Sequence, residues 1–251
     1  MFEAGNANAA LYFVDRHCAE GRGEKVAYID AAGETTFEEL RQATDRMVGF
    51  YQGLGVPRES RVAMLVLDTI AFPTIFWGSL KAGIVPVALN TLLSTDQYRF
   101  ILGDCRARVL FVSAPLYETV APLLDGHPMI EHVFVVGGEA AGHPRFEDRL
   151  AEASPGTAVA VTGDETAFWL YSSGSTGMPK GVIHVHSSLK GTSDTYALEV
   201  LGIREDDVVF SVATLFFAYG LGNGMTFPLA VGATTVLFPG RPTPDAIFEV
   251  L

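Results

Sequence analysis

The chain has 251 residues, 49% of them apolar, which is enough to bury a sizeable core in one large domain or two small ones and excludes a disordered segment. Its formal charge of −12 excludes a general nucleic-acid binder, because such proteins draw most of their affinity from Lys and Arg on phosphates, so any phosphate ligand must be held locally. Two cysteines, Cys18 and Cys105, stand far apart with no partner at metal or redox spacing, so neither a disulfide framework nor a metal site is expected and a reducing cytoplasm fits best.

The start, Met1-Phe2-Glu3-Ala4, has no basic flank or apolar run of signal-peptide type. The most apolar stretch, Val62 to Leu89, is broken by Asp68, Pro73 and Lys81, so no membrane association is expected. In chain order, Val26 to Ile29 reads as a strand. Thr36 and Glu39 then form a capping box for a helix from Phe37 to about Gln52, ended by Gly53 and Gly55. Arg61 to Leu67 reads as a buried strand, Asp68 as a cap, Thr69 to Lys81 as a helix despite Pro73, and Val85 to Leu89 as the next strand. Ser94 with Gln97 opens another helix. Val109 to Val112, Val133 to Val136 and Thr234 to Phe238 read as further strands, with helices near Leu116 to Leu124, Ser187 to Leu201 and Leu221 to Leu229. This alternation predicts an α/β fold, mixed sheets flanked by helices. The Gly-, Ala-, Pro- and Glu-rich stretch from Gly137 to Gly163 is read as a connection between two subdomains, residues 1–160 and residues 161–251.

The most informative segment runs Phe168-Trp169-Leu170-Tyr171-Ser172-Ser173-Gly174-Ser175-Thr176-Gly177-Met178-Pro179-Lys180-Gly181-Val182. Gly174 and Gly177 let the backbone approach an anion closely. Ser172, Ser173, Ser175 and Thr176 add hydroxyl donors, and Lys180 adds a full positive charge, a combination that suits a polyphosphate. A plain Gly/Ser turn is the bland alternative, and the ordered hydroxyls and the Pro-Lys-Gly ending weigh against it. A Walker A loop would end Gly-Lys-Ser/Thr and lead into a helix, whereas here Pro179 precedes the lysine and a strand follows.

The stretch from Ser172 to Gly181 resembles the signature loop of the acyl-adenylate-forming superfamily of acyl-CoA synthetases, adenylation domains and luciferases. Thr36-Phe37-Glu38-Glu39-Leu40, Gly78 to Leu89 and Gly232-Ala233-Thr234 extend the resemblance over essentially the whole chain. It implies a carboxylate attacking the α-phosphate of Mg-ATP to give acyl-AMP and pyrophosphate, followed by displacement of AMP by a thiol. It also implies Thr176 and Lys180 as the catalytic phosphate contacts, with Ser172, Ser173, Gly174, Ser175 and Gly177 completing the ATP cradle. ATP, Mg²⁺ and coenzyme A are the implied co-reactants.

Leu215-Phe216-Phe217-Ala218-Tyr219-Gly220-Leu221-Gly222-Asn223-Gly224 is most similar to the acid-pocket motif of benzoate and hydroxybenzoate CoA ligases. A flat aromatic acid is implied: Ala218 and Gly220 leave room for a ring, Tyr219 flanks it and Phe227 closes it, while Phe216 alone reads as core. His184 and His186 alternate along a strand without a third metal ligand, and Asp206 with Asp207 reads as a solvated turn. Trp169 reads as core. The family's later motifs, a Tyr-Gly-x-Thr-Glu segment, a Thr-Gly-Asp segment, a hinge and a small domain with the adenylation lysine, are not in these 251 residues. The chain therefore reads as an amino-terminal part that would not complete the reaction alone. A short nucleotide- or acid-binding protein without turnover, and an adenylating enzyme serving another thiol acceptor, are the competing readings; a homo-oligomer is left open.

Overall fold

A computed structural model describes residues 5–139, 142–173 and 178–250. After a π-helical turn at Leu11–Asp15 and helix α1 (Arg16–Ala19), β1 (Val26–Asp30) and β2 (Gly33–Thr36) form a hairpin leading into α2 (Phe37–Gly53). Then β3 (Arg61–Leu65), α3 (Ala71–Lys81), β4 (Val85–Ala88), α4 (Thr95–Cys105), β5 (Val109–Ser113), α5 (Tyr117–Val120) and β6 (His132–Val136) alternate. Helix α6 (Phe146–Glu152) precedes the hairpin β7 (Thr166–Ser173) and β8 (Pro179–Val185), and α7 (His186–Thr192) runs on into a π-helical stretch, Ser193–Leu201. The chain continues through β9 (Val208–Phe210), α8 (Ala218–Leu221), a π-helical stretch Gly222–Thr226, α9 (Phe227–Val231), β10 (Thr234–Val236) and α10 (Pro244–Val250).

Two of these helices begin where side chains satisfy orphan amides. Thr36 accepts from the Glu39 amide while Glu39 takes the Thr36 amide at 2.8 Å, and Ser94 and Gln97 make the same reciprocal pair at the start of α4. Helix α3 starts two residues later than its sequence suggests, and Asp68 is not its cap. The amide of Ile70 donates to Asp30 Oδ2 at 2.9 Å, and Pro73 sits at the third helical position, where its missing N–H would have no intrahelical partner anyway.

The strands form a six-stranded sheet in the order β6-β5-β3-β4-β7-β8 and a four-stranded sheet in the order β2-β1-β10-β9. All pairings are parallel except the hairpins β1/β2 and β7/β8. A sheet covered by helices on both faces buries every residue of its central strands, so β4 and β5 read as continuous apolar runs. The period of two still sorts them: Val62, Met64, Val109 and Phe111 pack toward α2 and α3, whereas Ala63, Leu65, Leu110 and Val112 pack toward α4. Each sheet draws strands from both sides of residue 160, so the sheets do not divide where the chain's composition changes. Lys81, fully buried, is held between Asp15 and Asp45 carboxylates at 2.6 Å each, which ties the first helical turns to α2 and α3. No helix among the described residues is long and apolar enough to cross a membrane.

Candidate functional site

Because β3 to β7 run parallel, their carboxyl ends share one edge of the large sheet, the place where open α/β sheets bind ligands. Strand β7 reaches that edge at Ser172 and Ser173 and returns as β8, with Ser172 opposite Lys180 and Ser173 opposite Pro179. The hairpin register thus holds the Ser172 hydroxyl and the exposed Lys180 ammonium at the two feet of the Gly/Ser loop. Gly174, Ser175, Thr176 and Gly177, four of the expected phosphate contacts, lie outside the described residues. The paving under the hairpin is aromatic: a Cβ at Gly181 would stand 3.3 Å from both Trp169 and Tyr171. Trp169 is only half-buried, with the Arg61 guanidinium 5.9 Å from its ring.

A cavity of 530 Å³ opens beside this hairpin. Leu170, Tyr171 and Ser172 of β7 line it, with Pro179, Val182 and His184 of β8. Phe216, Phe217 and Ala218 form a further wall, and Asn90, Leu93 and Gln97 complete it from the segment after β4. Desolvation lowers the His184 pKa, favouring the neutral imidazole, and the ring stacks on Phe168 at 4.4 Å. Desolvation, reinforced by the Asp104 carboxylate that accepts a hydrogen bond from its hydroxyl, raises the Tyr171 phenol and keeps it un-ionised. His186 turns away from the cavity: it is buried, its Nδ1 accepts the Ala9 amide at 3.1 Å, and desolvation lowers its pKa to about 4. Among the described residues no group of three or more His, Cys, Asp or Glu could hold a metal.

Of the expected ring-binding residues the structure brings Ala218 to the cavity together with Ser172. Tyr219 is 70% exposed and is not among the residues lining it. A Cβ at Gly220 would lie 2.0 Å from the Thr214 carbonyl oxygen, so the chain requires a glycine there. Phe227 packs against Tyr196 and over Gly222, whose added Cβ would meet its ring at 2.8 Å. Phe227 follows the π-helical stretch Gly222–Thr226 and is not among the residues lining this cavity.

Sequence reasoning missed Asn90 and Gln97. Gln97 was accounted for as a helix cap, and the signal for Asn90 was its place just past the carboxyl end of a parallel strand. It also missed that Asp68 reaches into this region. The carboxylate, 7% exposed, accepts the Leu215 amide at 3.0 and 3.3 Å and so anchors the segment leading into Phe216–Ala218. Burial raises the Asp68 pKa from 3.8 to about 7, against the lowering effect of the Leu215 amide.

A model of the family described as AMP-binding enzyme matches residues 15–251. The chain belongs to that family. It is 48% identical over 245 residues to a 4-hydroxybenzoate–CoA/benzoate–CoA ligase of Rhodopseudomonas palustris, covering 97% of this chain and 45% of that protein. With a benzoate–CoA ligase of Thauera aromatica the identity is 50%, covering 97% and 46%. Among solved structures, a benzoate CoA ligase from Burkholderia xenovorans LB400 superposes with a TM-score of 0.89 at 43% identity, over 97% of this chain and 48% of that one. An anthranilate CoA ligase in complex with anthranoyl-AMP gives 0.91 at 34%, over 98% and 47%. The chain therefore spans somewhat less than half the length of the AMP-binding enzymes it matches.

Proposed function

We propose that the protein containing this chain activates a benzoate-like aromatic acid with ATP, releasing pyrophosphate, and passes the acyl group from AMP to coenzyme A. The observation that carries this reading is the shared cavity: Ser172 and Pro179, at the feet of the phosphate loop, and Ala218, in the aromatic motif, line one apolar chamber. The similarity to benzoate–CoA ligases at about half identity supports the acid class.

In the first step a carboxylate oxygen bonds to the α-phosphorus while the α–β phosphoanhydride breaks and pyrophosphate leaves. A thiol then adds to the acyl carbonyl and AMP departs with its bonding electrons. Thr176, Lys180 and the Ser172–Gly177 amides and hydroxyls hold the β- and γ-phosphates and offset the charge that builds on the leaving group, while Ala218 leaves room for the ring. Among the described residues no carboxylate lines the cavity.

Pyrophosphate release by the full-length protein from a panel of aryl and fatty acids tests the reading. Preference for aryl acids with coenzyme A supports it. Binding without release points to a non-catalytic nucleotide or acid binder, and release without coenzyme A thioester points to another thiol acceptor. Lys180→Ala and Thr176→Ala should each lower the rate by about 100-fold; wild-type rates in both variants, at limiting and saturating ATP, would remove the loop from the mechanism.

A further inference from the structure

A second cavity, of 550 Å³, lies against the first. Phe216 is the residue that lines both, and the segment after β4 alternates between them: Asn90 and Leu93 face the first, Thr91 and Leu92 the second. Although it borders two open spaces, Phe216 is only 4% exposed, its ring set 4.3 Å from that of Phe217. The second chamber is walled by Leu67, Leu116 and Phe238, and its lining includes the polar residues Asp68, Thr91, Thr214 and Arg241. Thr214 Oγ1 is buried without a hydrogen-bond partner.

We propose that Phe216 is the residue that limits acid length, its ring partitioning the acid cavity from a subsite that accepts a second aromatic ring bearing a hydroxyl. This rests on the reading of the first cavity as the acid site. The apolar walls match a ring. A hydroxyl at its far end can donate to the Asp68 carboxylate. With the Phe216 ring in place the acid must end within the first chamber, so single-ring acids are favoured.

The test is pyrophosphate release by the full-length protein with benzoate, 4-phenylbenzoate and 4-(4-hydroxyphenyl)benzoate, comparing wild type with Phe216→Ala and Phe216→Leu. The kcat/KM ratio of 4-phenylbenzoate to benzoate should rise by about tenfold or more in Phe216→Ala and by less in Phe216→Leu. The hydroxylated acid should gain further. An unchanged ratio in folded variants overturns the proposal, and so does failure of both variants to fold, which would make Phe216 a core residue alone. A wild type that releases pyrophosphate with none of the aryl acids is a different failure: it sinks the ligase reading and this proposal with it.

Discussion

Asp68, His17 and His186 are buried titratable groups whose ionisation folding opposes. His17 donates from Nε2 to the Leu229 carbonyl at 2.6 Å and accepts at Nδ1 from Arg22, which fixes one neutral tautomer; desolvation lowers its pKa to about 4. Both histidines are lowered from 6.5, so the unfolded chain binds more protons below that value, and the stability they contribute is lost as pH falls from about 6.5 to about 4. Asp68 acts in the opposite sense. Its folded pKa lies above the unfolded one, so between about 4 and 7 the folded chain binds more protons, and stability falls as pH rises, by up to about 1.4 kcal/mol per unit. Arg241 is the other ionisable group lining the same cavity. Asp68→Asn keeps an acceptor for the Leu215 amide but cannot ionise. Its unfolding free energy relative to wild type should therefore increase steadily from pH 5 to pH 7 and level off above pH 8. Urea titrations across that range measure it, and a difference independent of pH would show that Asp68 ionises freely in the folded protein.

At the scale of elements, what the sequence makes legible is what neighbouring residues decide. The capping boxes at Thr36 and Ser94, the apolar runs of β3 to β6 and the end of α2 all follow from side chains within a few positions. The elements misjudged are those set from a distance. The start of α3 depends on Asp30, some 40 positions earlier, and helical periodicity does not announce the π-helical stretch before Phe227. Glycines separate the same two cases. Gly78 lies where α2 crosses α3, and a Cβ there would stand 2.3 Å from Met47 Cβ, so the helices could not keep their separation. Gly103 is an exposed position in α4 where a Cβ meets nothing within 4 Å. Gly78→Ala should therefore destabilise by about 1–3 kcal/mol, whereas Gly103→Ala should stabilise by roughly 0.5–1 kcal/mol through helix propensity. Chemical denaturation of the two variants reads the signs; equal effects would mean that the α2–α3 contact is looser than the structure shows.

Over the whole molecule the small sheet is closed by residues remote in sequence: β10 pairs with β1 on one side and β9 on the other, Thr234 Oγ1 donates to the Val26 carbonyl at 2.7 Å, and Arg16 reaches the Ala230 carbonyl at 2.7 Å. This pairing was not legible, because a short β-branched run does not name its partner strand. The edges are left open: Val182 and Ile183 on β8 and Val208 on β9 are exposed, as are Leu92, Tyr219 and Phe248. Apolar edge strands of this kind pair with other chains unless something covers them. The site is one-sided in the same way. Joining a carboxylate to a triphosphate requires cations at the attacking oxygen as well as at the leaving group, and among the described residues Lys180, opposite Ser172, stands at the foot of the proposed phosphate loop. The 251 residues expressed alone should therefore self-associate and form no acyl-CoA at a useful rate from benzoate, ATP, Mg²⁺ and coenzyme A, while retaining weak affinity for an aromatic acid. Light scattering, thioester formation and titration with benzoate check the three parts against the full-length protein. Turnover comparable to the full-length control, with contamination excluded by mass spectrometry, would mean that the chain completes the charge arrangement by itself and that Lys180 does more than hold the departing pyrophosphate.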